Sequence, residues 1–162
     1  MDISFKMEIG FTYYKELVLL PEEQSLYNKL DSYYWDISNK YSGIRKFGLY
    51  DNLKDAMNSY SKTLKYEIHR IGGYKRAKIK FYEIRAITDM NSFAFDRKIN
   101  GKRIKVASAL NLLSKLENVS SVEDLQFLRP LLLANNAGYK KTIFPPFYLG
   151  CRAMTVMSYK QD

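Results

Sequence analysis

Alternation marks the first stretch of the chain. Ile3, Phe5, Met7, Ile9, Phe11 and Tyr13 are interleaved with Ser4, Lys6, Glu8, Gly10 and Thr12. A period of two held this long predicts a strand with one packed and one wet face. The period then changes. Pro21, Glu22 and Glu23 predict a helix start, since proline fits the first turn and acids favour the positive end of the helix dipole. Leu26, Leu30, Tyr33, Ile37 and Tyr41 follow at helical spacing as one apolar stripe. Trp35 falls about 160° from the middle of that stripe, beside Ser32, Asp36 and Asn39 on the polar side. Gly43 is expected to close this helix.

Asp51 is the expected N-cap of a second helix, with Leu53, Met57, Tyr60, Leu64 and Ile71 on one face and Gly72-Gly73 at its end. Residues 76–87 return to a strand pattern, Ile79 and Phe81 on one side and Lys78, Lys80 and Tyr82 on the other. Asn100-Gly101, between Phe93–Ile99 and Lys102–Val106, predicts a hairpin with a type I′ turn. Ser121 with Asp124 three residues on cues a helix that ends or kinks near Pro130. A long strand is expected over Phe147–Tyr159. The order β, α, α, β, β-hairpin, α, β predicts an α+β fold, an antiparallel sheet packed with two to three helices in a single domain over 1–162.

Composition agrees with one folded domain: 162 residues, 46% hydrophobic and 27% charged, enough for one sizeable core. Aromatic content of 15%, with 14 Tyr, suits interfaces as well as cores. Cys151 is the single cysteine, so no intrachain disulfide is expected. No charged n-region followed by an apolar h-region is found at the start, so secretion is not expected, and the Asn118-Val119-Ser120 sequon is read as unused. Apolar runs such as Leu131–Ala134 are too short to span a bilayer.

Charge changes the picture most. Residues 62–105 hold 13 of the 26 Lys and Arg with only four acids, an excess equal to the net +9 of the whole chain. Such segregation speaks of what the surface meets: nucleic acid, anionic lipid or an acidic protein. One cluster is Lys75, Arg76, Lys78 and Lys80; the other is Arg97, Lys98, Lys102, Arg103 and Lys105, where the expected hairpin would set Lys98 near Arg103. Like charges this close favour a neutralising partner, although lysines also guard an edge strand against pairing. No RNA-recognition strand motif, GXXG clamp or zinc spacing accompanies them, so the charge reads as backbone or headgroup contact. Trp35 is a candidate anchor for a partner or a bilayer interface. Pro145-Pro146-Phe147-Tyr148 spells PPxY, with Pro145, Pro146 and Tyr148 as a candidate WW-domain ligand if exposed.

Catalytic chemistry finds little support. His69, the only histidine, falls in the second helix without an evident partner, and Cys151 has no base at motif spacing. No phosphate-binding loop, dinucleotide glycine pattern, zinc spacing or calcium loop is present. The expectation is no enzyme, no cofactor, no metal and no small-molecule substrate.

One family combines these features in this order. Tyr50-Asp51 opens a helix with Ala56, Tyr60 and Tyr66, followed by Gly73, Lys75-Arg76, and the Lys80-Phe81-Tyr82 strand with Ile84 and Ala86. Pro146-Phe147 then leads a strand to Tyr159 that carries Gly150, Met154-Thr155 and Met157. In this the chain resembles the matrix proteins of rhabdoviruses, and residues 5–13 sit where that family's core begins. The resemblance implies a basic, non-enzymatic protein that self-associates beneath the viral envelope, condenses the nucleoprotein–RNA complex and binds the anionic inner leaflet. It also implies a budding role for PPxY through a WW-domain host protein. Animal-virus members carry PPxY in a basic N-terminal tail, so its position here favours a short, plant-infecting type. The expected location is the virion beneath the envelope, and host cytoplasm, nucleus or membranes during infection. The alternative is a small nucleic-acid-binding regulator of viral or phage origin.

Overall fold

The computed structural model describes residues 17–131, 133 and 143–162. The strand expected over residues 3–13 lies outside the described residues. Helix α1 spans Pro21–Ser38. Pro21 occupies its first turn, and the Glu23 carboxylate accepts the Leu20 backbone N–H at 3.0 Å, satisfying one donor at the helix start. Its buried stripe is Leu26, Leu30, Tyr34 and Ile37. Tyr34 replaces the expected Tyr33, which is half-buried on the flank with Tyr41. A short 3-10 turn over Asn39–Tyr41 carries the chain to Gly43.

Helix α2 spans Leu53–Arg76. Its cap is Asn52, not Asp51: the Asn52 side chain accepts the Asp55 N–H at 2.9 Å. Ala56, Met57, Tyr60, Leu64, Ile68 and Ile71 bury its inner face. The helix does not stop at Gly72-Gly73 but runs through both. It ends in a Schellman motif, with Ile79 N–H bonding Tyr74 O at 2.9 Å and Lys78 N–H bonding Lys75 O at 3.1 Å. Lys78 occupies the left-handed position, at φ 57°.

Position 72 is held to glycine by what lies beside it. A Cβ there would sit 2.3 Å from the buried Glu23 Oε2, whereas at Gly73 the nearest atom, on Arg76, is 3.9 Å away. Gly73→Ala is therefore expected to raise stability by about 0.5–1 kcal/mol through helix propensity. Gly72→Ala is expected to lose that gain and fall below the parent, because Glu23 must leave Leu20 N–H and His69. Urea midpoints of the two variants check this.

Strand β1 spans Phe81–Ala86, helix α3 Ala94–Ile99, strand β2 Arg103–Lys105 and helix α4 Val106–Glu117. Helix α5 spans Val122–Leu128 and strand β3 Ala153–Met157. The sheet is antiparallel with order β2-β1-β3, which makes the fold α+β, with five α-helices among the described residues. In β1 the buried residues are Tyr82 and Ile84, on the side opposite Phe81. Lys78 and Lys80 precede the strand and share no strand face.

The Asn100-Gly101 hairpin does not form. Gly101 does take a positive φ, 83°, but it joins α3 to β2, and β2 pairs with β1. Residues 94–99 are helical because Asp96 accepts the Phe93 N–H at 2.8 Å, and Phe95 and Ile99, four apart, bury one face. Helix α4 was not expected, although Val106, Ala109, Leu112 and Leu116 bury a face at helical spacing. For α5 the Ser121 cap holds, accepting the Asp124 N–H at 3.1 Å, and the helix ends before Pro130.

The long terminal strand is shortened to β3, because residues 144–151 form a buried loop that contains a cis Pro145-Pro146 bond. One core joins all of these elements. One polar tie and one ring contact fasten helix to sheet. Glu67 on α2, fully buried, accepts Thr155 N–H at 3.0 Å and the Thr155 hydroxyl at 2.6 Å. Tyr74 stacks on Tyr82 with centroids 5.8 Å apart.

Candidate functional site

The nine cations singled out from the sequence are all exposed, as the cost of desolvating a charge requires. Lys75 and Arg76 end α2, Lys78 and Lys80 lie in the connection to β1, and Arg97 and Lys98 sit on α3. Lys102, Arg103 and Lys105 lie on or beside β2, the edge strand. Val106 N–H bonds Lys80 O at 2.9 Å, which brings the backbones at Lys80 and Lys105 close at one corner of the sheet.

Register then defines the outer sheet face, because directly paired residues of antiparallel strands project to the same side. Phe81 faces Lys105, Glu83 faces Arg103 and Val156, and Arg85 faces Met154. Arg103 therefore sits opposite Glu83, and the cross-strand pairing with Lys98 is absent. Arg85, which the sequence reading passed over, belongs to this surface; its place in an alternating strand was the available signal.

Several of these cations also brace the fold. The Arg103 guanidinium lies 3.6 Å from the Phe81 ring centroid and donates to Lys160 O and Asp162 O, pinning the C-terminal residues beside β1. Arg85 pairs with Glu83 at 2.7 Å. Arg97 donates to Asp89 O at 2.9 Å. The Asp89 carboxylate in turn receives both ends of the Arg152 guanidinium, at 2.7 and 2.9 Å. That bidentate pair holds Asp89 well below the usual carboxylate range.

The PPFY segment is not a free ligand. Pro145, Pro146 and Tyr148 are buried. Arg129, itself buried, donates to Phe144 O and Pro146 O at 2.9 and 2.8 Å and stacks on the Phe144 ring. Tyr148 donates to Asp96, and Phe147 packs edge-on against Phe95. A peptide-binding partner would have to unpack this loop from the core.

Two clefts lie along the seam of α1 and α2, the first walled on its other side by α4. The larger, about 480 Å³, has walls of Leu20, Leu26, Ile68, Leu110 and Leu113 and a mixed rim of Glu22, Glu117, Lys75 and Arg76. Glu23, which lines this cleft, gives His69, expected to stand alone, a partner: His69 Nδ1 lies 3.1 Å from Glu23 Oε1, and Arg76 lies 3.6 Å from Oε2. A histidine–glutamate pair is the orienting half of a general-base couple, yet no hydroxyl or thiol among the described residues engages the other ring nitrogen. Cys151 offers no nucleophile, since burial pushes its thiol up to about 12.

The second cleft, about 370 Å³, is where Trp35 is found. Trp35 is half-buried against α2, not exposed on a polar face. The sequence reading missed the companions that α2 brings to it.

Among the described residues no group of three metal-ligating side chains occurs, and no helix is long and apolar enough to cross a membrane. No family model, curated protein or solved structure matches the chain.

Proposed function

We propose that this protein is a non-enzymatic, self-associating structural protein of the viral-matrix type, whose basic sheet surface lies against the anionic inner face of an envelope membrane while the same layer engages a nucleoprotein–RNA complex. The observation that carries this reading is the set of exposed cations on and beside the edge strand β2 and its neighbour β1: Lys78, Lys80, Arg85, Arg103 and Lys105, with Lys75 and Arg76 at the end of α2 and Arg97, Lys98 and Lys102 on and after α3. An exposed sheet face edged by these cations suits a sequence-indifferent anionic layer better than a groove of DNA. WW-domain recruitment forms no part of the proposal, because PPFY is buried.

Co-sedimentation with vesicles tests it. Each Lys or Arg near an anionic surface contributes roughly 1 kcal/mol, so reversing Lys80, Arg85 and Lys105 to Glu should weaken binding at least about 100-fold. Rising salt should weaken the parent's binding as well. Binding indifferent to salt and to anionic lipid would sink the membrane half. A mass by light scattering that stays monomeric at every concentration would sink self-association. A monomer that binds RNA stoichiometrically and ignores vesicles would favour the small nucleic-acid-binding regulator.

A further inference from the structure

The cleft that holds Trp35 has its own chemistry, distinct from that of the cations around β2. On the α1 side it is lined by Tyr27, Asp31 and Trp35, each four residues from the next and so on one helix face. On the α2 side stand Asn58, Ser61, Lys62, Lys65 and Tyr66. Three rings and two ammonium groups thus share one opening of about 370 Å³, within the size range of sites that take small ligands.

Internal bonds fix the floor. Tyr27 Oη and Ser61 Oγ are 2.8 Å apart, and Ser61 donates to Asp31 Oδ1. Lys65 Nζ sits 5.9 Å from the centre of the Tyr27 ring, so the cleft already places a cation against an aromatic face. Asp31 Oδ2 and the Asn58 amide have no hydrogen-bond partner among the described residues.

The two walls differ in charge. Among the residues that line the cleft, both ammonium groups, Lys62 and Lys65, belong to α2, and the carboxylate, Asp31, belongs to α1. The α1 wall has two of the three rings, Tyr27 and Trp35, and the Asp31 carboxylate. Phosphates on the lysine side, bases on the ring side and an acceptor for a base amino group make a polarised arrangement. A lipid surface can use the lysines and the rings but presents no base to the Asp31 and Asn58 acceptors. A single-stranded polynucleotide uses all three.

We infer that the α1–α2 cleft is a binding site for single-stranded nucleic acid, with a base stacked on Trp35, its amino group donated to Asp31 or Asn58, and the flanking phosphates on Lys62 and Lys65. Stacking recognition of this kind tolerates any base, and Asp31 favours those with an exocyclic amine, cytosine and adenine over uracil. The site stands apart from the cations around β2, so a single copy can hold an anionic layer and a nucleic-acid strand on different surfaces.

Trp35 is the only tryptophan in the chain, so its fluorescence reads the cleft directly. Titration with oligocytidylate and oligouridylate of about ten nucleotides at low salt should quench Trp35, with the cytidylate binding more tightly. Tyr66→Ala and Lys62→Ala/Lys65→Ala should each weaken binding about tenfold or more, while vesicle binding stays at the parent level and circular dichroism shows an intact fold. Lys80→Glu/Arg85→Glu/Lys105→Glu should lose vesicles and keep the Trp35 quench. Oligonucleotide binding that leaves Trp35 emission unchanged overturns the site, as does equal affinity of parent and cleft variants. A blue shift of Trp35 with anionic vesicles and no response to either oligonucleotide assigns the cleft to a bilayer instead.

Discussion

Truncating Glu67 to alanine is expected to destabilise the protein by roughly 3–5 kcal/mol, a large share of what holds a domain of this size together. Glu67 is fully buried on α2 and gathers three donors: Thr155 N–H, the Thr155 hydroxyl and Arg70 Nη1, the last at 2.7 Å. Alanine leaves the Thr155 N–H without an acceptor in the interior and leaves its hydroxyl only Tyr74 Oη, 3.1 Å away, and unmet buried donors cost more than the bonds contribute net. The tie also fixes where β3 sits on α2, so the loss is felt by the whole sheet. Urea unfolding followed by circular dichroism measures it, and Glu67→Gln, which keeps one acceptor, should lose less.

The same residue has a signature in pH. Burial raises the Glu67 pKa, opposed by Arg70 and by the bonds from Thr155. A carboxyl whose folded pKa exceeds its unfolded value favours the fold most below the unfolded value. That contribution is lost as pH rises through the raised folded pKa. Stability of the parent should carry this downward component above the ordinary glutamate range, and Glu67→Gln should remove it. Asp89, held low by Arg152, works in the opposite sense: its contribution is present above the ordinary aspartate value and fades as pH falls.

Gly150→Ala is expected to cost about 3 kcal/mol or more. Gly150 has φ +85°, and a Cβ would lie 2.6 Å from the Phe47 carbonyl oxygen and 2.9 Å from its carbonyl carbon. Both contacts are backbone, and Phe47 is locked to Tyr50 by reciprocal bonds of 2.8 and 2.9 Å, so it cannot yield. The buried loop that carries Phe147 and Tyr148 would have to lift from the 47–50 turn. Gly101→Ala isolates the conformational part: φ is +83° there, with nothing within 4 Å of the added carbon, and only about 1–2 kcal/mol should be lost. Thermal unfolding of the two variants should separate the terms.

What the sequence disclosed was decided within a few residues. Pro21 with Glu22 and Glu23 starts α1, and Ser121 caps α5, because these bonds close over three or four positions. Where a distant partner intervened, the local signal misled. Residues 94–99 look extended beside Asn-Gly, yet Asp96 meets both Phe93 N–H and Tyr148, 52 positions away. Gly72-Gly73 looks like a stop, yet Glu23 occupies the space beside Gly72 and the helix continues. PPFY looks like a ligand until Arg129 binds the carbonyls around it.

The candidate sites divide in the same way. Charge is legible in a chain because ionised side chains stay in water, so the sequence by itself determined that the cations of residues 75–105 would be exposed, and that sheet and helices would share one core. It could not determine which of those cations share a face, since that depends on the register of β1 with β2 and β3. Nor could it supply Trp35 with neighbours. The meeting of Trp35 with Tyr66, Lys62 and Lys65 exists only where α1 lies against α2, because packing between helices is set by apolar burial along their whole length and not by the residues that happen to line the seam.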